Sequence, residues 1–149
     1  MATIQLFFNV NIPENDEKWY ENISSALKKY RATEQVEVIN KVEKKSAQID
    51  VSYQVENGNI NEIELIITNS GASIDEINIH FPSSVTGVAD PYTASGESIP
   101  LHEKLKKMNG ILDGGISSSG QIKIVVDPLI ENKQLIIEEF LKNIHFKDR

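Results

Sequence analysis

The segment Ala47–Ile67, AQIDVSYQVENGNINEIELII, opens with a ten-residue alternation. Ala47, Ile49, Val51, Tyr53 and Val55 take turns with Gln48, Asp50, Ser52, Gln54 and Glu56. Successive side chains of a strand point to opposite faces, so this pattern describes a ribbon with one apolar and one polar face. After Glu56-Asn57-Gly58-Asn59 the pattern resumes, with Ile63, Leu65 and Ile67 against Glu62 and Glu64. Asn-Gly between two alternating runs is a hairpin signature. Parity then selects the loop. A two-residue turn at Asn57-Gly58 sets Tyr53 opposite Glu62 and Val51 opposite Glu64. A three-residue loop, Asn57–Asn59, instead pairs Tyr53 with Ile63, Val51 with Leu65 and Ile49 with Ile67. Because a one-residue slip inverts a whole strand face, the longer loop is the expected one.

Outward from this hairpin, Ile4, Leu6, Phe8, Val10 and Ile12 alternate with polar residues except at Phe7, and Pro13 closes the run. Residues 3–12 therefore read as a strand. From Glu14 to Tyr30 the period changes: Trp19, Ile23, Leu27 and Tyr30 share one helical stripe, flanked by Tyr20 and Ala26. Asn15 or Asp16 is placed to cap this helix, and Lys28, Lys29 and Arg31 suit the negative end of its dipole. Val36, Val38 and Val42 mark a short strand within 34–45. Ile77, Ile79 and Phe81 mark another over 74–81, and Ile122, Ile124 and Val126 a third over 121–126. Asp113–Gly120 reads as a flexible turn. Leu101, Leu105 and Met108 suggest a short helix, and 83–100 a long loop without period. Ile136, Phe140 and Ile144, with Ile137 and Leu141 beside them, predict a helix within 129–145, capped by Asp127-Pro128.

The expected architecture is one α+β domain, mainly an antiparallel β-sheet, with sandwich-like packing as the variant the pattern also permits. Strands 47–56, 60–68, 74–81 and 121–126 form the main sheet, joined by 3–12. The N-terminal amphipathic helix packs on it, and a helix ends the chain. A weaker boundary falls near Lys45. The length, 149 residues, suits a single domain that buries about 68–70% of its unfolded surface.

Composition narrows the function more by exclusion than by assignment. The chain holds no cysteine, which removes disulfides, thiol catalysis and thiolate metal sites. Together with a start lacking signal-peptide character, this fits the cytoplasm. No apolar run approaches the roughly 18 residues of a membrane helix. The net charge of −7 argues against nucleic-acid or anionic-membrane binding through a basic surface. Its distribution says more. No Lys or Arg occurs between Lys45 and Lys104, an interval holding Asp50, Glu56, Glu62, Glu64, Asp75, Glu76, Asp90, Glu97 and Glu103.

Catalytic signatures are missing. Gly110–Gly120 contains no Gly-Lys-Ser/Thr ending, so it is no phosphate loop. His80, His102 and His145 lack the spacing of metal ligands, and no Gly-x-Ser-x-Gly elbow surrounds any serine. Glu62/Glu64 share one strand face and Asp75/Glu76 do not. Neither pair has an apolar setting to raise a carboxyl pKa. No cofactor is expected.

Glu64–Pro82, with Glu-Leu-Ile-Ile-Thr-Asn-Ser-Gly leading to Asp-Glu-Ile-Asn-Ile-His-Phe-Pro, resembles the strand–Asn-x-Gly–strand pattern of bacterial immunoglobulin-like accessory domains. The resemblance covers about a third of the chain. It implies a binding or spacer role. The expectation is accordingly a non-catalytic protein-binding or assembly module that meets a basic protein partner through an acidic β face, the 83–100 loop, or both. Asp50, Glu62, Glu64, Glu76, His80, Asp90, Tyr92 and His102 are the expected binding residues, and no direct contact with nucleic acid or membrane is expected. The alternative is a small-molecule-binding protein or hydrolase with the 83–100 loop as a lid over His80, Asp90, Tyr92 and His102. A nucleic-acid mimic comes third.

Overall fold

The computed structural model describes residues 3–13, 17–41, 45–81, 110–116 and 122–143. In chain order it contains β1 (Thr3–Asn11), α1 (Glu17–Lys29), β2 (Thr33–Lys41), β3 (Ser46–Gln54), α2 (Ile60–Asn69), β4 (Ser73–His80), β5 (Ile111–Ile116), β6 (Ile122–Val126) and α3 (Lys133–Asn143). The six strands form one sheet in the order β2-β3-β1-β4-β6-β5, and every neighbouring pair is antiparallel. β3 lies between β1 and β2. The first six elements thus make the split β-α-β-β-α-β arrangement of ferredoxin-like folds.

Alternation in the strands sorts the sheet into two faces. Ile4, Leu6, Phe8 and Val10 of β1 line up with Tyr53, Val51, Ile49 and Ala47 of β3, all buried. Ile77 and Ile79 of β4 continue the same face, followed by Val126 and Ile124 of β6. The helices cover it. Trp19, Ile23 and Leu27 from α1, Ile60, Ile63 and Ile67 from α2, and Ile136 and Ile137 from α3 join these strand residues in one core cluster. Each large side chain withdrawn from water contributes about 1.5–3 kcal/mol. Helices, and not a second sheet, form the other layer, so the sandwich-like variant is not the one adopted.

The organising hairpin is absent. Residues 60–69 form helix α2, so the expected strand 60–68 and its pairing with β3 are both corrected. Tyr53 faces Ile4 and Thr33 across the sheet, not Ile63. Two periods compete over this segment, because positions 63 and 67 share a face in either geometry. Leu65 separates them: a strand buries it with its neighbours, whereas here it is 58% exposed. Ile60, Ile63 and Ile67 are fully buried, at the spacing i, i+3, i+7 of a helix. Asn59, read earlier as a loop residue, caps the helix, its Oδ1 accepting the Asn61 amide at 2.8 Å. Gly58 adopts extended backbone, and its role is space: a Cβ there would stand 2.5 Å from that of Ala32. The loss of strand 60–68 also removes the strand–turn–strand pattern behind the immunoglobulin-like resemblance.

Two further corrections concern the second half. Ile111–Ile116, which runs into the expected flexible turn Asp113–Gly120, is an edge strand paired to β6, with a bulge between Ile111 and Asp113. Its glycines have low strand propensity, but the neighbour's free ladder supplies hydrogen bonds and decides the conformation. Asp127-Pro128 does not start the last helix. Asp127 Oδ1 accepts the Leu129 amide at 2.9 Å in a local turn, and α3 begins at Lys133. Asn15, Asp16, residues 83–100, the helix expected around Leu101–Met108, and Ile144 fall outside the described residues.

One buried polar side chain ties α3 to the rest. Gln134 Oε1 accepts hydrogen bonds from the Tyr53 hydroxyl at 2.9 Å and the Ile60 amide at 3.0 Å. Its Nε2 donates to the Val55 carbonyl at 3.5 Å and to Glu138 at 3.2 Å. Replacing Gln134 by Leu strands a buried hydroxyl and a helix N-terminal amide, at about 1–3 kcal/mol for each unsatisfied group. Urea unfolding should show that loss for Gln134→Leu, and less than additive loss when Tyr53→Phe is combined with it. Trp19 is nearly buried, and its Nε1 donates to Ser70 Oγ at 3.0 Å, joining α1 to the end of α2. Trp19→Ala should lower stability by about 3–5 kcal/mol; an unchanged melting temperature would contradict this packing.

Candidate binding face

Among the described residues no helix packs on the opposite face of the sheet. Register places its side chains in rows. Ile39, Gln48, Asn9 and Glu76 form one; Glu37, Asp50, Phe7, Asn78, Val125 and Asp113 the next; Gln35, Ser52, Gln5, His80 and Lys123 the third. Phe7 and His80 meet near the middle, with ring centroids 4.3 Å apart and planes tilted by 43°. Burial holds the His80 imidazole below its ordinary value, with Lys123 acting in the same direction and Asp50 against it. The ring is therefore neutral near pH 7 and adds no positive charge.

Around these rings the carboxylates are held by neutral amides. Glu76 Oε1 accepts from Asn9 Nδ2 at 3.0 Å and Asn78 Nδ2 at 2.9 Å. Asp50 Oδ1 accepts from Gln48 Nε2 at 2.9 Å, and Asp75 Oδ2 from Asn11 Nδ2 at 2.5 Å. Among the described residues no lysine or arginine forms an ion pair with Asp50, Asp75 or Glu76. An amide donor fixes a carboxylate's direction without cancelling its charge. Over β2, β3 and β1 the face sinks into a hollow of about 660 Å³, lined by Gln5, Phe7, Gln35, Glu37, Asp50 and Ser52.

Glu62 and Glu64 are elsewhere. Both stand on α2, on the helical side, and each has a cation. Arg31 Nη2 lies 3.1 Å from Glu62 Oε1, and the Tyr30 hydroxyl donates to the same oxygen. The Tyr30 bond, more than Arg31, holds the Glu62 carboxyl below its ordinary range. Glu64 Oε1 pairs with Lys133 Nζ at 2.9 Å in a nearly closed position, where Lys133 also donates to the Ile130 carbonyl at 2.6 Å. Of the residues expected to bind, Asp50, Glu76 and His80 therefore share one face, and Glu62 and Glu64 do not join them. Asp90, Tyr92 and His102 lie outside the described residues. Phe7 and Glu37 were missed, although Phe7 is the one apolar residue that broke the alternation of its strand.

The described residues contain no group of three or more histidines, aspartates and glutamates arranged to hold a metal ion. No helix among them is long and apolar enough to cross a membrane.

No family model matches this chain, and no curated protein matches it. Among solved structures, the chain is similar to the N-terminal extension of Cupriavidus metallidurans CzcP. That match has a TM-score of 0.37 and 16% identity over 93% of this chain and 96% of the other. The regulatory subunit of aspartate kinase from Thermus thermophilus gives 0.35 and 12%, covering 84% and 82% of the two chains. Escherichia coli aspartokinase III in complex with lysine and aspartate gives 0.31 and 8%, over 95% of this chain and 31% of that one. Overlaps this loose fix neither a family nor a function.

Burial raises the Glu64 carboxyl, and Lys133 pulls it partly back. The folded protein thus disfavours ionised Glu64: the cost is absent below the unfolded carboxylate value and grows as pH rises through the folded one. Lys133→Met removes the compensating charge, so its destabilisation should be small in acid and reach about 3–5 kcal/mol at neutral pH. Combining it with Glu64→Leu should restore most of the loss. Denaturant midpoints measured across the pH range check both.

Proposed function

We propose that this protein is a non-catalytic binding module whose sheet face opposite α1, α2 and α3 receives a positively charged protein partner. The supporting observation is the contrast between its two sides. Carboxylates on the helical side, Glu62 and Glu64, are neutralised by Arg31 and Lys133. Asp50 and Glu76 on the sheet face, and Asp75 in the β4 bulge beside it, are oriented by Gln48, Asn9, Asn78 and Asn11 and meet no lysine or arginine among the described residues. Pre-oriented acids lose little conformational freedom on contact, and a mainly acidic surface, with Lys123 at its β6 end, speeds encounter with an opposite one. The half-buried Phe7–His80 pair supplies apolar area at the centre, where an interface gains most from aromatic side chains.

Asp50→Lys combined with Glu76→Lys tests the reading. Immobilised protein should retain a specific partner from native lysate at low salt, and lose it at moderate salt. The double variant should retain about tenfold less or nothing, while thermal unfolding shows it folded. A partner held equally by both proteins would move the interface off this face.

A further inference from the structure

The hollow over β2, β3 and β1 has features that a general acidic surface does not require. Glu37 and Asp50 stand directly opposite each other on neighbouring strands, a placement that like charges make unfavourable. Among the described residues no lysine or arginine pairs with either of them. On its other side Asp50 is opposite Phe7, so two carboxylates and an aromatic ring follow one another along a single row. Gln5, Gln35 and Ser52 add acceptors from the adjoining row. Thr33 also lines the hollow, and its Oγ1 is buried without a hydrogen-bond partner. Lys28 and Glu34 line it as well, and neither Glu37 nor Asp50 forms an ion pair with Lys28.

A cation between Glu37 and Asp50 relieves their repulsion, and the neighbouring ring restricts which cation fits best. An ammonium is a compact, strongly hydrated point charge. A guanidinium is planar, more weakly hydrated, carries five donors in a fixed fork, and stacks on aromatic faces. Two carboxylates beside a ring, with amide and hydroxyl acceptors close by, match the guanidinium in shape and in hydrogen bonding. We propose that the hollow receives an arginine side chain from a protein partner, Glu37 and Asp50 accepting its N–H groups and Phe7 supporting its plane. This rests on the acidic-face reading and names the group that the face selects.

The test uses the full chain and two synthetic peptides, identical except that every arginine of one is lysine in the other. Calorimetric titration at one fixed salt should give the arginine peptide an affinity about tenfold higher. Phe7→Leu should abolish that preference, bringing the arginine peptide down to the affinity of the lysine peptide, whereas Asp50→Asn should weaken both and keep the preference. Thermal unfolding of each variant verifies folding. Amide NMR shifts on adding the arginine peptide to the unsubstituted protein should concentrate at Phe7, Glu37 and Asp50. Equal affinity for the two peptides, both weakened by Asp50→Asn, would overturn the arginine assignment and leave the acidic face standing. Binding by neither peptide, with lysate capture still dependent on Asp50 and Glu76, would overturn the hollow as the site. Lysate capture indifferent to Asp50 and Glu76 would overturn the acidic-face reading itself.

Discussion

Gln134 Oε1 joins three parts of the chain that are far apart in sequence: the β3 side chain Tyr53, the first amide of α2, and the start of α3. A buried amide side chain must satisfy both its ends or cost stability, and here both are satisfied. The Tyr53 hydroxyl is pushed far up by burial, so it remains a proton donor over the whole working range. The bond therefore does not switch with pH. Its effect is positional: it fixes where α2 begins relative to the sheet, and α2 in turn covers the apolar face.

A second junction acts beside it. The Tyr30 hydroxyl, at the end of α1, accepts the Asn59 amide at 2.8 Å and donates to Glu62. Gly58 lets this approach occur, since a side chain there would collide with Tyr30 and Ala32. The Asn-Gly pair that resembles a hairpin turn thus serves a close contact between two helices. Its glycine is needed for space, not for a left-handed backbone.

The two faces of the sheet meet different electrostatic demands. On the helical side Glu64 is almost enclosed, and an enclosed charge requires a counter-charge, which Lys133 provides. On the open side amide donors hold the carboxylates, and among the described residues no lysine or arginine pairs with Asp50, Asp75 or Glu76. The absence of lysine and arginine between Lys45 and Lys104 bears on this asymmetry. β3 and β4 contribute acids to the open face and no cation, while Arg31 and Lys133, which neutralise α2, come from outside that interval.

The sequence by itself determined the parts whose pattern admits one geometry. The ten-residue alternation of β3, the stripe Trp19–Ile23–Leu27 of α1 and the mainly antiparallel α+β class follow from local periodicity. So does the polar side of β4 that presents His80. Tertiary structure decided the rest. Ile63 and Ile67 satisfy both a strand and a helix, and only the burial of Ile60 with exposure of Leu65 separates the two. The glycines of β5 take strand geometry because β6 offers them a ladder. The candidate site shows the same division. Asp50, Glu76 and His80 were legible as polar residues of strands, but their assembly with Phe7 and Glu37 depends on β1 and β3 becoming neighbours across 34 intervening residues, Ile12 to Lys45. A local pattern fixes which way a side chain points; only the strand order fixes what it points beside.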